Sequence, residues 1–105
     1  KELVISGGFN IYPREVEDVL YEMPEVKEAV VLGVESMEWG EKVVAFLVTN
    51  EEHLPEIKAY CKERLGFKKP KEYIVVPTLP KNATGKIDKN KLKELYQDKE
   101  GTQIG

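Results

Sequence analysis

The sequence predicts an α+β fold: a small mixed sheet of about three main strands with helices packed on it, plus short β-hairpins. Two runs, Val26–Val34 and Val43–Thr49, are rich in β-branched residues and read as central strands. Other segments carry apolar residues at helical spacing. Glycine and proline punctuate the chain between these segments.

Leu3–Ile5 and Asn10–Tyr12 are short apolar stretches flanking Ser6-Gly7-Gly8, which reads as a hairpin or sharp loop. Pro13 stands where a first helical turn tolerates a missing N–H. Val16, Val19, Leu20 and Met23 then recur at helical spacing, with Glu15, Glu17, Asp18 and Glu22 on other faces. Early acids suit the helix dipole, and Pro24 is expected to end the helix. Between the two strand runs, Glu35–Glu41 forms a turn that carries Trp39-Gly40. Leu54–Leu65 is a second amphipathic helix, closed by Gly66. Tyr73–Val76 is a third main strand, stopped by Pro77. Ala83–Ile87 forms a turn or small hairpin. Asp88 can cap a last helix, Lys89–Tyr96, with Leu92 and Leu95 facing inward. Residues 98–105 read as a mobile tail.

A chain of 105 residues is one domain, 1–105, with a small core. Apolar residues at 41% and charged residues at 33% fit a soluble globular protein. No apolar run has the length of a transmembrane segment, and no secretory signal is present. With no initiator methionine and a strand-like start, a fragment of a longer protein is expected. The net charge of −3 hides an asymmetry. Residues 1–50 carry four basic and ten acidic groups; residues 51–105 carry twelve and nine. The basic excess gathers between Lys68 and Lys93, where it reads as a solvated surface for most lysines and as a patch facing a polyphosphate for some. An acidic domain without a recognition motif is a poor match for nucleic acid. Cys61 and His53 are each single, which excludes an intrachain disulfide or a structural zinc site built from them. Cys61, among Ile57, Tyr60 and Leu65, reads as a buried inert thiol, compatible with a cytoplasmic setting. No role is read for His53.

Two motifs carry chemistry. The run Leu79-Pro80-Lys81-Asn82-Ala83-Thr84-Gly85-Lys86-Ile87-Asp88 places Lys86 on a glycine-backed turn between apolar flanks. An ammonium on a flexible stem suits a site where negative charge builds on a phosphate or carboxylate. This run resembles the catalytic-lysine motif of the adenylate-forming enzymes, the superfamily of acyl-CoA synthetases, peptide-synthetase adenylation domains and firefly-type luciferases. The opening run, Lys1-Glu2-Leu3-Val4-Ile5-Ser6-Gly7-Gly8-Phe9-Asn10-Ile11-Tyr12-Pro13-Arg14-Glu15-Val16-Glu17, resembles the segment just after that family's interdomain hinge. The resemblance implies the C-terminal mobile domain of an AMP-forming acyl-CoA synthetase, an acid–thiol ligase. Its large N-terminal domain lies outside this chain and is the expected partner.

The resemblance implies two half-reactions that use ATP, Mg2+ and CoA with a carboxylic acid, none of them bound by this domain alone. Lys86 is the expected adenylation residue, and Lys1 matches the hinge. After the domain rotates, Gly7 and Gly8 are expected to line the thiol channel. The family commonly has glutamate where this chain has Phe9, a departure that widens the apolar surface. Trp39, Phe67 and Lys69 are expected CoA contacts, with Lys69 standing where many relatives have arginine. Lys68 and Lys71 read as plain solubilising lysines. Phe67-Lys68-Lys69-Pro70 and Ile11-Tyr12-Pro13 look like those of CoA ligases for fatty or aryl acids. Two alternatives stay open: part of an adenylation domain that loads a carrier protein, and a non-catalytic binding module. With no Ser/Thr/Gly-rich phosphate loop, the isolated domain is expected to be inactive.

Overall fold

A computed structural model describes the backbone of residues 2–104 and the side chains of residues 2–97. Lys1, the expected hinge, lies outside the described residues. The chain runs β1 (Val4–Ser6), β2 (Phe9–Ile11), α1 (Pro13–Leu20), β3 (Glu28–Ser36), β4 (Gly40–Val48), α2 (Leu54–Leu65), β5 (Glu72–Val75) and α3 (Lys89–Ile104).

The strands form one mixed five-stranded sheet. Along one edge, β4 pairs antiparallel with β3, from Glu28↔Val48 to Ser36↔Gly40. Its other edge is shared. Gly40 meets Ser6 of β1, while Val44–Leu47 pair in parallel with β5. A parallel pair needs a crossover, and α2 supplies it. β2 completes the sheet as the antiparallel partner of β1.

Successive strand residues feed two cores. Ala29, Val31, Val43, Ala45 and Leu47 pack with Val16 and Leu20 of α1 and Ile57 and Cys61 of α2. Val30, Leu32, Val34, Val44 and Phe46 pack on the other face with Leu79 and with Leu92 and Tyr96 of α3. Strands buried on both faces read as unbroken apolar runs, which is why the sequence marks these two so plainly. Gly33 lets β1 approach: a Cβ there would come within 2.9 Å of a Val4 methyl.

Two helix ends differ from expectation. α1 ends at Leu20, before Pro24. The turns at Glu22 and Met23 tighten to N–H bonds onto Val19 and Leu20, and the Tyr21 hydroxyl is pinned to β3, donating to the Ala29 carbonyl at 3.1 Å and accepting from its N–H at 2.8 Å. α3 continues past Tyr96. Its inward stripe is Leu92 and Tyr96, so Leu95, expected inside, is 47% exposed. α2 keeps its expected ends, with Gly66 at φ 60° as its C-cap. Asp88 caps α3 by accepting the Lys91 N–H at 3.0 Å. Among the described residues no helix is long and apolar enough to cross a membrane.

Candidate functional site

The first candidate site is the loop that carries Lys86. Leu79 is buried in the core beneath α3, and Ile87 packs against the same core, so both ends of the loop are anchored. Lys81 and Ile87 form an isolated antiparallel bridge at its neck, and the Asp88 N–H donates to the Pro80 carbonyl at 2.8 Å. Inside the loop, one side chain organises the backbone. The Asn82 Oδ1 accepts the Thr84 N–H at 3.0 Å, the Thr84 hydroxyl at 2.6 Å and the Lys86 N–H at 3.1 Å. The Asn82 main chain adds two more bonds, its N–H to the Lys86 carbonyl and its carbonyl from the Gly85 N–H. Gly85 turns the chain at φ 85°, a conformation that a Cβ resists. Lys81 pairs with Glu28 of β3 at 3.3 Å. Lys86 itself is exposed and, among the described residues, takes part in no ion pair. A fixed backbone thus presents an exposed cation. Asn82 was not singled out from sequence, although Asn followed two residues on by Thr is the signal of such a side-chain-built turn.

The second candidate site surrounds the turn between β1 and β2. Gly7 and Gly8 take φ of 59° and 85°. The Gly7 N–H donates to the Trp39 carbonyl at 2.9 Å, and a Cβ on Gly7 would come to 3.0 Å from the Trp39 ring. Nothing lies within 4 Å of where a Gly8 Cβ would be. Half-buried Trp39 is covered by the Lys71 ammonium, 4.6 Å from a ring centroid. Lys71 is therefore not the plain surface lysine expected. Burial first, then the neighbouring Lys69 charge, hold its ammonium below the ordinary lysine range. Phe9 stacks against Phe67, with ring centroids 4.6 Å apart. Lys69 joins Lys58, Lys62 and Lys71 around a recess of about 430 Å³ between α2 and β5. Lys68, expected to be a plain solubilising lysine, pairs with Glu15 at 3.2 Å.

Five expected residues, Gly7, Gly8, Trp39, Phe67 and Lys69, thus gather in one neighbourhood, joined by Phe9 and Lys71. Lys86 stands apart from them. The glycine turn is flanked by Val4 and Ile11, which belong to the core under α1 and α2, whereas the lysine loop is anchored in the core under α3. Buried Cys61 belongs to neither site, and burial pushes its thiol up. Among the described residues no three His, Cys, Asp or Glu side chains group to hold a metal ion.

Residues 15–86 match the family model described as the AMP-binding enzyme C-terminal domain. A 2-succinylbenzoate–CoA ligase of Listeria monocytogenes is 47% identical over 97 residues, covering 90% of this chain and 21% of that protein. The long-chain-fatty-acid–CoA ligase FadD13 of Mycobacterium tuberculosis is 41% identical over 99 residues, covering 91% and 20%. Among solved structures, a Mycobacterium tuberculosis fatty acyl CoA synthetase superposes with a TM-score of 0.85 at 39% identity, over 92% of this chain and 20% of that one. An ATP-bound RpMatB-BxBclM chimera gives a TM-score of 0.84 at 46% identity, over 91% and 20%. The chain spans about a fifth of the length of the curated relatives it matches.

Proposed function

The chain belongs to the family of AMP-binding enzyme C-terminal domains, and from that premise we propose that it serves an AMP-forming acyl-CoA synthetase. In the first half-reaction, a carboxylate oxygen of the acid attacks the α-phosphorus of ATP. The bond from that phosphorus to the bridging oxygen breaks, and pyrophosphate leaves. Lys86 places its ammonium against the phosphoryl oxygens and the attacking carboxylate, holding them in line while charge moves to the leaving group. In the second, the CoA thiol attacks the acyl carbon of the acyl adenylate, its proton passes to solvent, and AMP leaves. The Gly7–Gly8 turn and Trp39 then wall the thiol's approach, with no side chain at the glycines to narrow it.

The observation that carries this reading is the exposed Lys86 ammonium, in no ion pair among the described residues, on a backbone fixed by Asn82. Anchoring of the two sites in opposite layers supports an alternation in which the domain turns about Lys1 between steps. Mg2+ would accompany the phosphates of ATP, neutralising part of their charge. The acid is taken to be a fatty or aryl acid, in keeping with the names of the relatives. The setting is taken to be cytoplasmic. The test is pyrophosphate release by the full-length parent across a panel of carboxylic acids, with and without Lys86→Ala. Loss of the ammonium is expected to slow acid-dependent release by about 10²-fold or more. Equal release from both proteins would make the loop structural and end this assignment.

A further inference from the structure

The sheet grips the chain only from Val4 onward. Val4 is buried, pairs with Ile11, and packs on Gly33, where a Cβ would come within 2.9 Å of a Val4 methyl. The Ile5 N–H donates to the Glu41 carboxylate at 2.9 Å. Glu2 and Leu3 precede that grip and are exposed. They are the residues between β1 and Lys1, the pivot in the reading above. Glu2 is nevertheless tied down. Its carboxylate pairs with the Lys89 ammonium, 87 positions along the chain.

Lys89 is the first residue of α3 and stands three residues past Lys86. The stretch between them is held at each step. Ile87 bridges to Lys81, and the Asp88 N–H donates to the Pro80 carbonyl at 2.8 Å. One turn on, Leu92 is fully buried. Whatever holds Lys89 therefore also sets where the Lys86 backbone lies. Other charges along the groove between α1 and α3 have their own partners. Arg14 pairs with Asp18 at 3.4 Å, Lys68 with Glu15 at 3.2 Å, and half-buried Glu17 accepts the Val31 N–H at 2.9 Å. Along the backbone, the route from pivot to Lys86 runs through most of the domain; the Glu2–Lys89 pair closes it in one contact. The glycine turn is reached differently. Gly7 and Gly8 follow β1 directly, and β1 is held by β2 and β4.

Building on that reading, we propose that Glu2 is a positioning residue for the adenylation step: its ion pair with Lys89 fixes the Lys86 loop relative to the pivot. The Gly7–Gly8 surface does not depend on the pair. Both side chains are partly exposed, so the pair contributes little to stability. A small displacement of a catalytic group costs far more in rate.

The test measures the two half-reactions separately in the full-length parent: pyrophosphate release from ATP and acid, and thioester formation from added acyl adenylate and CoA. Glu2→Gln and Lys89→Gln are each expected to slow the first about tenfold and the second by less than about twofold. The double variant is expected to be no slower than the worse single one, because either change alone already breaks the pair. The thermal midpoint is expected to move by less than about 2 °C. Equal slowing of both half-reactions would reduce the pair to a support of the fold and overturn the proposal. So would unchanged pyrophosphate release, or losses that multiply in the double variant, which mean that the two residues act independently. Lys86→Ala is run beside them. If it spares release, the assignment of Lys86 fails first and the pair has nothing to position. If the unmutated parent releases no pyrophosphate with any acid, the synthetase reading itself fails, and the pair's role falls with it.

Discussion

Asn82 and Glu17 do opposite things with buried or ordered polar groups. Asn82 gives the lysine loop three acceptor bonds from a single oxygen. Asn82→Ala should loosen Lys86 without touching it. A cost of about 1–2 kcal/mol in stability is expected, with a larger, roughly tenfold fall in pyrophosphate release by the parent. Thermal melting and release assays on one preparation check this; equal proportional losses would count against a positioning role. In Glu17, burial raises the carboxyl above its ordinary range, against the Val31 N–H bond at 2.9 Å and the Lys89 charge. The folded state therefore holds this proton to higher pH than the unfolded chain does. Its contribution to stability falls as pH rises from the ordinary carboxylate pKa through the raised one, and is level above. Glu17→Gln can still accept the Val31 N–H and has no charge to desolvate. Denaturation midpoints from about pH 4 to 7 should drop less for the variant than for the natural chain. Parallel profiles would show that another group sets the slope. At this scale the sequence is legible where the cause is local. Gly85 and Asp88 announce a turn and a cap, whereas Phe9 and Lys71 gain their meaning only from partners far along the chain.

The helices divide by how their ends are made. α2 has Pro55 near its start and is closed by Gly66, both local features of the chain, and its limits match expectation. α1 stops where Tyr21 turns to bond β3, a long-range cause that no window of sequence contains. The same holds for β1, whose place in the sheet depends on Ser6 meeting Gly40. In α3, Leu92 is fully buried and Leu95 is 47% exposed, so a hydrophobic tally cannot separate them but the fold does. Leu92→Ala should cost about 2–5 kcal/mol, and Leu95→Ala within about 0.5 kcal/mol of nothing. Urea denaturation of the two variants decides it, and a comparable loss in both would mean that α3 packs by a different face.

For the whole molecule, the anchoring of the two proposed functional surfaces in separate layers predicts separable defects. Gly8 has a positive φ and open space where a Cβ would go, so alanine strains the turn without striking a neighbour. In the parent, Gly8→Ala should slow thioester formation at least about tenfold more than it slows pyrophosphate release. Equal slowing of both steps would argue that one surface serves them together. Both motifs were visible in the sequence because each is contiguous. Their separation was not, since it follows from which core each end of the chain enters. The chain's sole tryptophan, Trp39, lies against Gly7 and under Lys71, in the neighbourhood proposed for the acceptor. Its indole emission is therefore a built-in optical gauge of that surface. In the isolated chain, displacement of Lys71 from the ring can be followed in real time without attaching a dye.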